Sequence, residues 1–254
     1  MQLVDIGANL THAAFAPDLP AVLERARAAG VETIVVTGTA PEETRKALAL
    51  GFWTTAGVHP HNAKDCGAGT VAALRTLARD PKVVAIGECG LDFNRNYSPH
   101  PDQEKCFVAQ LELAAELGKP LFLHSRDAHP RFAEILRNLR VGKAVAHCFT
   151  GGAEELRAYL DLGLYIGITG WICDERRGAH LVPLVKEIPA DRLLLETDSP
   201  YLTPRDLHPQ PRARRNEPAH LPHILRAVAR ARGEPPEALA RTTTRNAKAF
   251  FGIA

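Results

Sequence analysis

Phe107-Val108-Ala109-Gln110-Leu111-Glu112-Leu113-Ala114-Ala115-Glu116-Leu117-Gly118-Lys119-Pro120-Leu121-Phe122-Leu123-His124 contains a helix, a stop and a strand in sequence. Phe107, Leu111, Ala114 and Leu117 recur at helical spacing and define one apolar face. Gly118 supplies the left-handed residue that ends such a helix. The run 121–124 is then continuously apolar, as in a strand buried on both faces of a parallel sheet, and it ends on a histidine. The next unit repeats the pattern. Phe132, Ile135, Leu136 and Leu139 keep helical spacing, Gly142 follows, and the run 144–147 ends on His147.

Working outward, further strand candidates lie at 3–6, 33–37, 53–58, 83–87, 165–168 and 193–196. Glycines at 30, 51 and 163 punctuate the helices between them, and Pro41 and Pro101 fall where a first helical turn begins. About eight strand–helix units in an unbroken chain of 254 residues predict an α/β fold, a single (β/α)8 TIM barrel spanning 1–254 as one domain. An open doubly wound sheet is disfavoured because a G-x-G-x-x-G does not follow the first strand. A Pro- and Arg-rich loop covers 199–216, and extra helices close the chain over 217–253.

Composition sets further bounds. Hydrophobic residues make up 45% and charged residues 24%, which is ordinary for a globular domain, and a net charge of +2 does not by itself argue for nucleic acid. The start of the chain does not read as a secretory leader, and its apolar runs fall short of the ~18 residues of a membrane span. Cys66, Cys89, Cys106, Cys148 and Cys173 are odd in number and scattered. They predict neither a disulfide framework nor a thiolate zinc site, and they suit a reducing cytoplasm.

Polar residues gather where the strands end: Asp5, His59 and His61, Glu88, His124, His147 and Asp198. In a barrel these ends form one ring, so residues distant in sequence face a common mouth. Carboxylates and imidazoles crowded there need a neutralising partner, and a divalent cation serves. Imidazole plus carboxylate suits Zn2+, Mn2+ or related ions, and a carboxylate-rich set holds Mg2+.

The strings Thr55-Ala56-Gly57-Val58-His59-Pro60-His61, Ala85-Ile86-Gly87-Glu88-Cys89-Gly90-Leu91-Asp92, Ala146-His147-Cys148-Phe149-Thr150-Gly151 and Glu196-Thr197-Asp198-Ser199-Pro200-Tyr201, with Arg214-Arg215-Asn216-Glu217-Pro218 in the last loop, carry a resemblance over essentially the whole chain. It resembles the TatD family of metal-dependent deoxyribonucleases, and the TatD branch more than distant paralogues. The resemblance implies an amidohydrolase-like barrel and a cytoplasmic, Mg2+-dependent nuclease, with Mn2+ or Zn2+ as alternatives. It implies action 3′ to 5′ on single-stranded DNA and RNA, a part in DNA repair, and a monomer. By the same resemblance Glu88, His124 and His147 match the family's metal ligands. Asp198 matches an aspartate that serves as ligand, general base or both, and His59 and His61 match a motif beside the site. Many members begin Asp-x-His-x-His. Here Gly7 and Asn9 stand at the two histidine positions after Asp5, so one firm metal is expected, with a second weak or supplied with substrate.

A phosphodiester substrate brings negative charge. Arg95, Arg126, Arg176, Arg177, Arg205, Arg212, Arg214 and Arg215 all follow strands on the mouth side, and the last loop is the favoured group for tracking phosphates. Phe93, Tyr97, Trp171 and Tyr201 are candidates for stacking bases. Three rival readings remain. One is a metal amidohydrolase acting on a small amide or lactone, because a fold does not fix function. Another is a non-catalytic binding protein. The third is a thiol nucleophile at Cys89 or Cys148, both of which are read here as packing residues.

Overall fold

The computed structural model describes residues 2–253, and the side chain of Arg212 lies outside the described set. Eight strands follow one another in a parallel sheet: β1 (Leu3–Ala8), β2 (Val31–Val36), β3 (Trp53–Ala56), β4 (Val83–Asp92), β5 (Leu121–Arg126), β6 (Ala144–Ala146), β7 (Tyr165–Ile168) and β8 (Leu193–Leu195). The sheet closes on itself just past β8. There the Asp198 amide donates to Gly7 O at 2.8 Å, and the Asn9 amide donates to Ser199 O at 2.7 Å. All eight predicted strands are present.

Alternation along each strand divides the core into two layers. Val4, Ile6, Val35, Phe122, Val145 and Leu194 point into the cylinder. Phe250, Phe251 and Ile253, at the end of α9 (Pro236–Phe251) and just beyond it, join this inner cluster and plug the N-terminal end of the barrel. Residues of opposite parity, among them Leu121, Leu123, Ala144, Ala146 and Leu195, face outward. They pack against the intervening helices: α1 (Leu19–Ala28), α2 (Pro41–Ala49), α3 (Ala68–Leu77), α4 (His100–Leu117), α5 (His129–Leu139), α6 (Ala153–Asp161), α7 (Leu181–Leu184) and α8 (Leu221–Arg232). With one end plugged, the C-terminal strand ends are the open face.

Gly118 ends α4 with φ 62°, as its position in the sequence predicts. Gly142 does not end α5. Arg140, two residues earlier, takes the left-handed turn at φ 46°. Strands β4 and β5 run past their predicted ends because their pairing continues through Gly90↔His124 to Asp92↔Arg126. Glu88 and His124 therefore sit inside strands, whereas His147 and Asp198 lie just beyond β6 and β8. Among the described residues, no helix is long and apolar enough to cross a membrane.

Candidate metal centre

Glu88 is the hub of the open face. Its Oε1 lies 2.8 Å from His147 Nε2, 2.9 Å from His124 Nδ1 and 3.3 Å from His59 Nε2. A carboxylate only accepts, so each imidazole nitrogen that bonds it does so as an N–H donor. His147 also turns Nδ1 toward Glu196 Oε2 at 3.2 Å. With both ring nitrogens facing carboxylates, the protonated form of His147 is favoured, and a bound cation would displace the Nε2 proton. Burial works against the imidazolium charge, but Glu88 and Glu196 overcome it and raise the pKa well above the ordinary histidine range. Burial likewise opposes the Glu88 anion, and the attraction of His59 and His147 with the hydrogen bonds from His124 and His147 prevails, keeping its carboxyl well below the usual range.

Asp92 widens the cluster. Its Oδ2 lies 2.7 Å from His61 Nε2 and 3.7 Å from His124 Nε2, and its Oδ1 accepts from the Asn94 and Arg95 amides. His124 Nε2 is buried without a hydrogen-bond partner. That orphaned nitrogen beside a carboxylate, and the grouping of His59, Glu88 and His124 at ligand spacing, fit a divalent cation bound by imidazole and carboxylate. Asp198 stands by the cluster, with Oδ1 accepting from Asn9 Nδ2 at 3.0 Å. Burial pushes its carboxyl up to about 7, against the opposing pull of His147.

The structure thus brings together Glu88, His124, His147, Asp198, His59, His61 and Asn9, all expected from sequence. Asp5 lies a layer below. It is fully buried and accepts from Thr197 N at 2.9 Å, Thr197 Oγ1 at 2.6 Å and Gly7 N at 3.3 Å, so it anchors the β1–β8 seam.

Two residues that sequence reasoning passed over complete the arrangement. One is Asp92. The other is Glu196, which is 0% exposed and accepts from Cys148 N at 2.5 Å as well as facing His147. Glu196 also accounts for the missing histidine at position 7. A Cβ on Gly7 would meet Glu196 Oε2 at 2.5 Å, and one on Gly167 would collide with Glu196 Oε1. The two glycines leave room for a carboxylate that holds His147 from behind.

The cluster opens into a cleft of about 1210 Å³. Arg95, Arg126 and Arg177 line it with Tyr97, Trp171 and Tyr201. The Arg177 guanidinium lies 4.4 Å from the Trp171 ring centroid, and that of Arg126 lies 5.4 Å from it. Tyr97 and Tyr201 are exposed.

Other expectations for the mouth need correction. Arg205, Arg214 and Arg215, the favoured basic group, do not line the cleft. Arg215 donates to Asp18, Glu217 and Ala14 O, tying the last loop to α1, and Arg205 turns toward Asp174 and Glu175. Arg205 and Arg215 turn onto carboxylates, so the cleft's arginines come from the segment after β4, the end of β5 and the segment after β7. Phe93 stacks on His100 at 3.7 Å and packs against the core, away from the cleft. Cys148 lines the cleft and does not merely pack, whereas Cys89 is core. Burial pushes both thiols above their ordinary range, the opposite of a poised thiolate nucleophile.

The sequence profile of the family described as TatD related DNase matches residues 4–252. The chain is 55% identical to the 3'-5' ssDNA/RNA exonuclease TatD of Klebsiella pneumoniae (strain 342), over 99% of this chain and 98% of that one. It is 53% identical to the protein of the same name from Escherichia coli (strain K12), over 99% of this chain and all (100%) of that one. Among solved structures, it is similar to YJJV, a TatD homologue from Escherichia coli K12, with a TM-score of 0.90 and 29% identity over 99% of this chain and 98% of that one.

Proposed function

The chain belongs to the TatD family of deoxyribonucleases, and from that premise we propose that it is a divalent-metal-dependent exonuclease removing nucleotides from the 3′ end of single-stranded DNA and RNA. The observation that carries this reading is Glu88 Oε1 within 3.3 Å of three imidazole nitrogens, at the floor of a cleft walled by arginines and aromatic rings. Glu88, His124, His147 and Asp198 would hold the ion, with His59 beside them, and Mg2+ is the native metal in this reading. A bound divalent cation supplies charge to offset the phosphate and lowers the pKa of water toward ~7.

The protein's own groups do the rest. Arg126 and Arg177 hold phosphate oxygens of the strand, while Trp171, Tyr97 and Tyr201 offer faces for bases. Asp198, oriented by Asn9, takes a proton from the attacking water. Glu196 positions the His147 ring from behind, as an outer carboxylate does for a ligating histidine, and Asp92 holds His61 at the edge of the site. The free cysteines fit a reducing cytoplasm. The exposed apolar side chains Leu50, Leu139 and Val182 lie on or beside three different helices, which favours a monomer. A role in DNA repair completes the proposal.

The test is degradation of single strands labelled at either end, run beside simple amides and lactones, with chelator and with Mg2+. Loss of the 3′ label first, abolished by chelator, is expected. Intact nucleic acid with turnover of an amide or lactone would replace the nuclease with the amidohydrolase reading. Phosphate contacts also predict that strand binding weakens steeply as salt rises.

Gly7→Ala probes the Glu196 support. The added methyl overlaps the Glu196 carboxylate. Overpacking of this kind costs about 1–3 kcal/mol, and displacing an outer partner of a ligating histidine costs about 10–100-fold in activity. Thermal denaturation and exonuclease rates measure both, and an unchanged rate would remove Glu196 from the machinery.

A further inference from the structure

We infer that Cys173, Asp206 and His223 form a second cation site, selective for a thiophilic divalent ion such as Zn2+, outside the cleft and independent of the nuclease reading. The three side chains come from separate parts of the chain: the turn after β7, the loop after β8, and the first turn of α8. One ligand atom from each lies within 4.8 Å of the others. None of the three lines the cleft.

The donor set differs in kind from that around Glu88. It offers one sulfur, one imidazole nitrogen and one carboxylate oxygen, a mixture that borderline-soft ions prefer and Mg2+ does not. His223 Nε2 and Asp206 Oδ1 are 2.7 Å apart. Ligands at ~2.0–2.3 Å around a tetrahedral ion sit roughly 3.3–3.7 Å apart, so the pair needs to open by only a fraction of an ångström to about one. Asp206 is exposed enough to make that move, with its side chain 43% accessible. Arg230 Nη2, 3.9 Å from Asp206 Oδ2, is the local competitor, but its side chain is 66% accessible and can swing into solvent. On binding, the Cys173 S–H proton leaves to solvent as the sulfur–metal bond forms.

Cys173 and Asp206 each lie close in sequence to residues of the cleft wall. Trp171 precedes Cys173 by two positions, and Tyr201 and Leu202 precede Asp206 in its loop. An ion at this site would clamp those two rims to α8.

The test uses full-length protein stripped of metal by chelator and titrated with Co2+. A thiolate-to-cobalt charge-transfer band is expected, displaced by Zn2+. It should persist in Glu88→Gln and vanish in Cys173→Ser. His223→Ala, on a partly exposed position of a helix, should keep the circular dichroism of the wild type and weaken Co2+ binding at this site by at least about tenfold. It decides the matter if Cys173→Ser does not fold. Absence of the band, its survival in Cys173→Ser, its loss in Glu88→Gln, or unchanged affinity in His223→Ala would each overturn the assignment.

Discussion

Glu88→Gln should reduce exonuclease turnover by more than about 10²-fold while leaving strand binding nearly intact. The size follows from the hub geometry. Three imidazole nitrogens converge on one oxygen of this side chain. Losing a carboxylate that merely orients a ligand from behind costs about 10–100-fold, so losing the anion at the centre must exceed that. Glutamine keeps the volume, and the surrounding imidazoles can shed protons, so the fold should survive. Arg126, Arg177 and Trp171 remain, so the affinity for a single strand should hold. Rates and equilibrium binding measured on the same preparation check both halves. Wild-type turnover in Glu88→Gln would break the link between this cluster and catalysis. Loss of binding along with rate would mean instead that the cleft wall had moved.

How far the sequence could be read depended on what kind of signal each residue left. The eight strands were legible because both faces are buried, which forces continuous apolar runs such as 121–124. β4 is buried at every position. Glu88, His124 and His147 were legible because each interrupts or ends such a run. Asp92 and Glu196 lay inside motifs already in view and were still missed. The signal that finds them is alternation. Glu88, Gly90 and Asp92 share one face of β4, and Glu196 shares the inward face of Leu194. Gly7 looked like the loss of a ligand, whereas the fold shows it as space given to Glu196, a contact between positions 189 residues apart in the chain that spacing cannot reveal. The arginines of the last loop misled for another reason. Charge in a loop carries no direction, and Asp18 and Glu217 were close enough to turn Arg215 away from the mouth.

Asp198→Asn is the second large effect, about 10²–10⁴-fold in kcat, the range for removing a general base, or roughly 3–5 kcal/mol of barrier. The residue is suited to the role because burial raises its carboxyl to about 7, which makes it basic enough to accept a proton near neutral pH. The sign of the pH dependence follows. The base form is present above the pKa and is lost as pH falls through it, so kcat/KM should drop tenfold per unit on the acid side. A cation held by Glu88 favours the Asp198 anion and moves that midpoint down, so the acid limb belongs at or below about pH 7. Asparagine keeps the shape and the contact with Asn9 but cannot take the proton, so the residual rate should lose the limb. Asp5 is the competing source, because burial lifts its carboxyl to about 7 as well. Its partners are Thr197 and Gly7, one layer beneath the cleft, and it does not reach the attacking water. A pH profile of Asp198→Asn that keeps the wild-type acid limb would move the titration to Asp5 and take the base role away from Asp198.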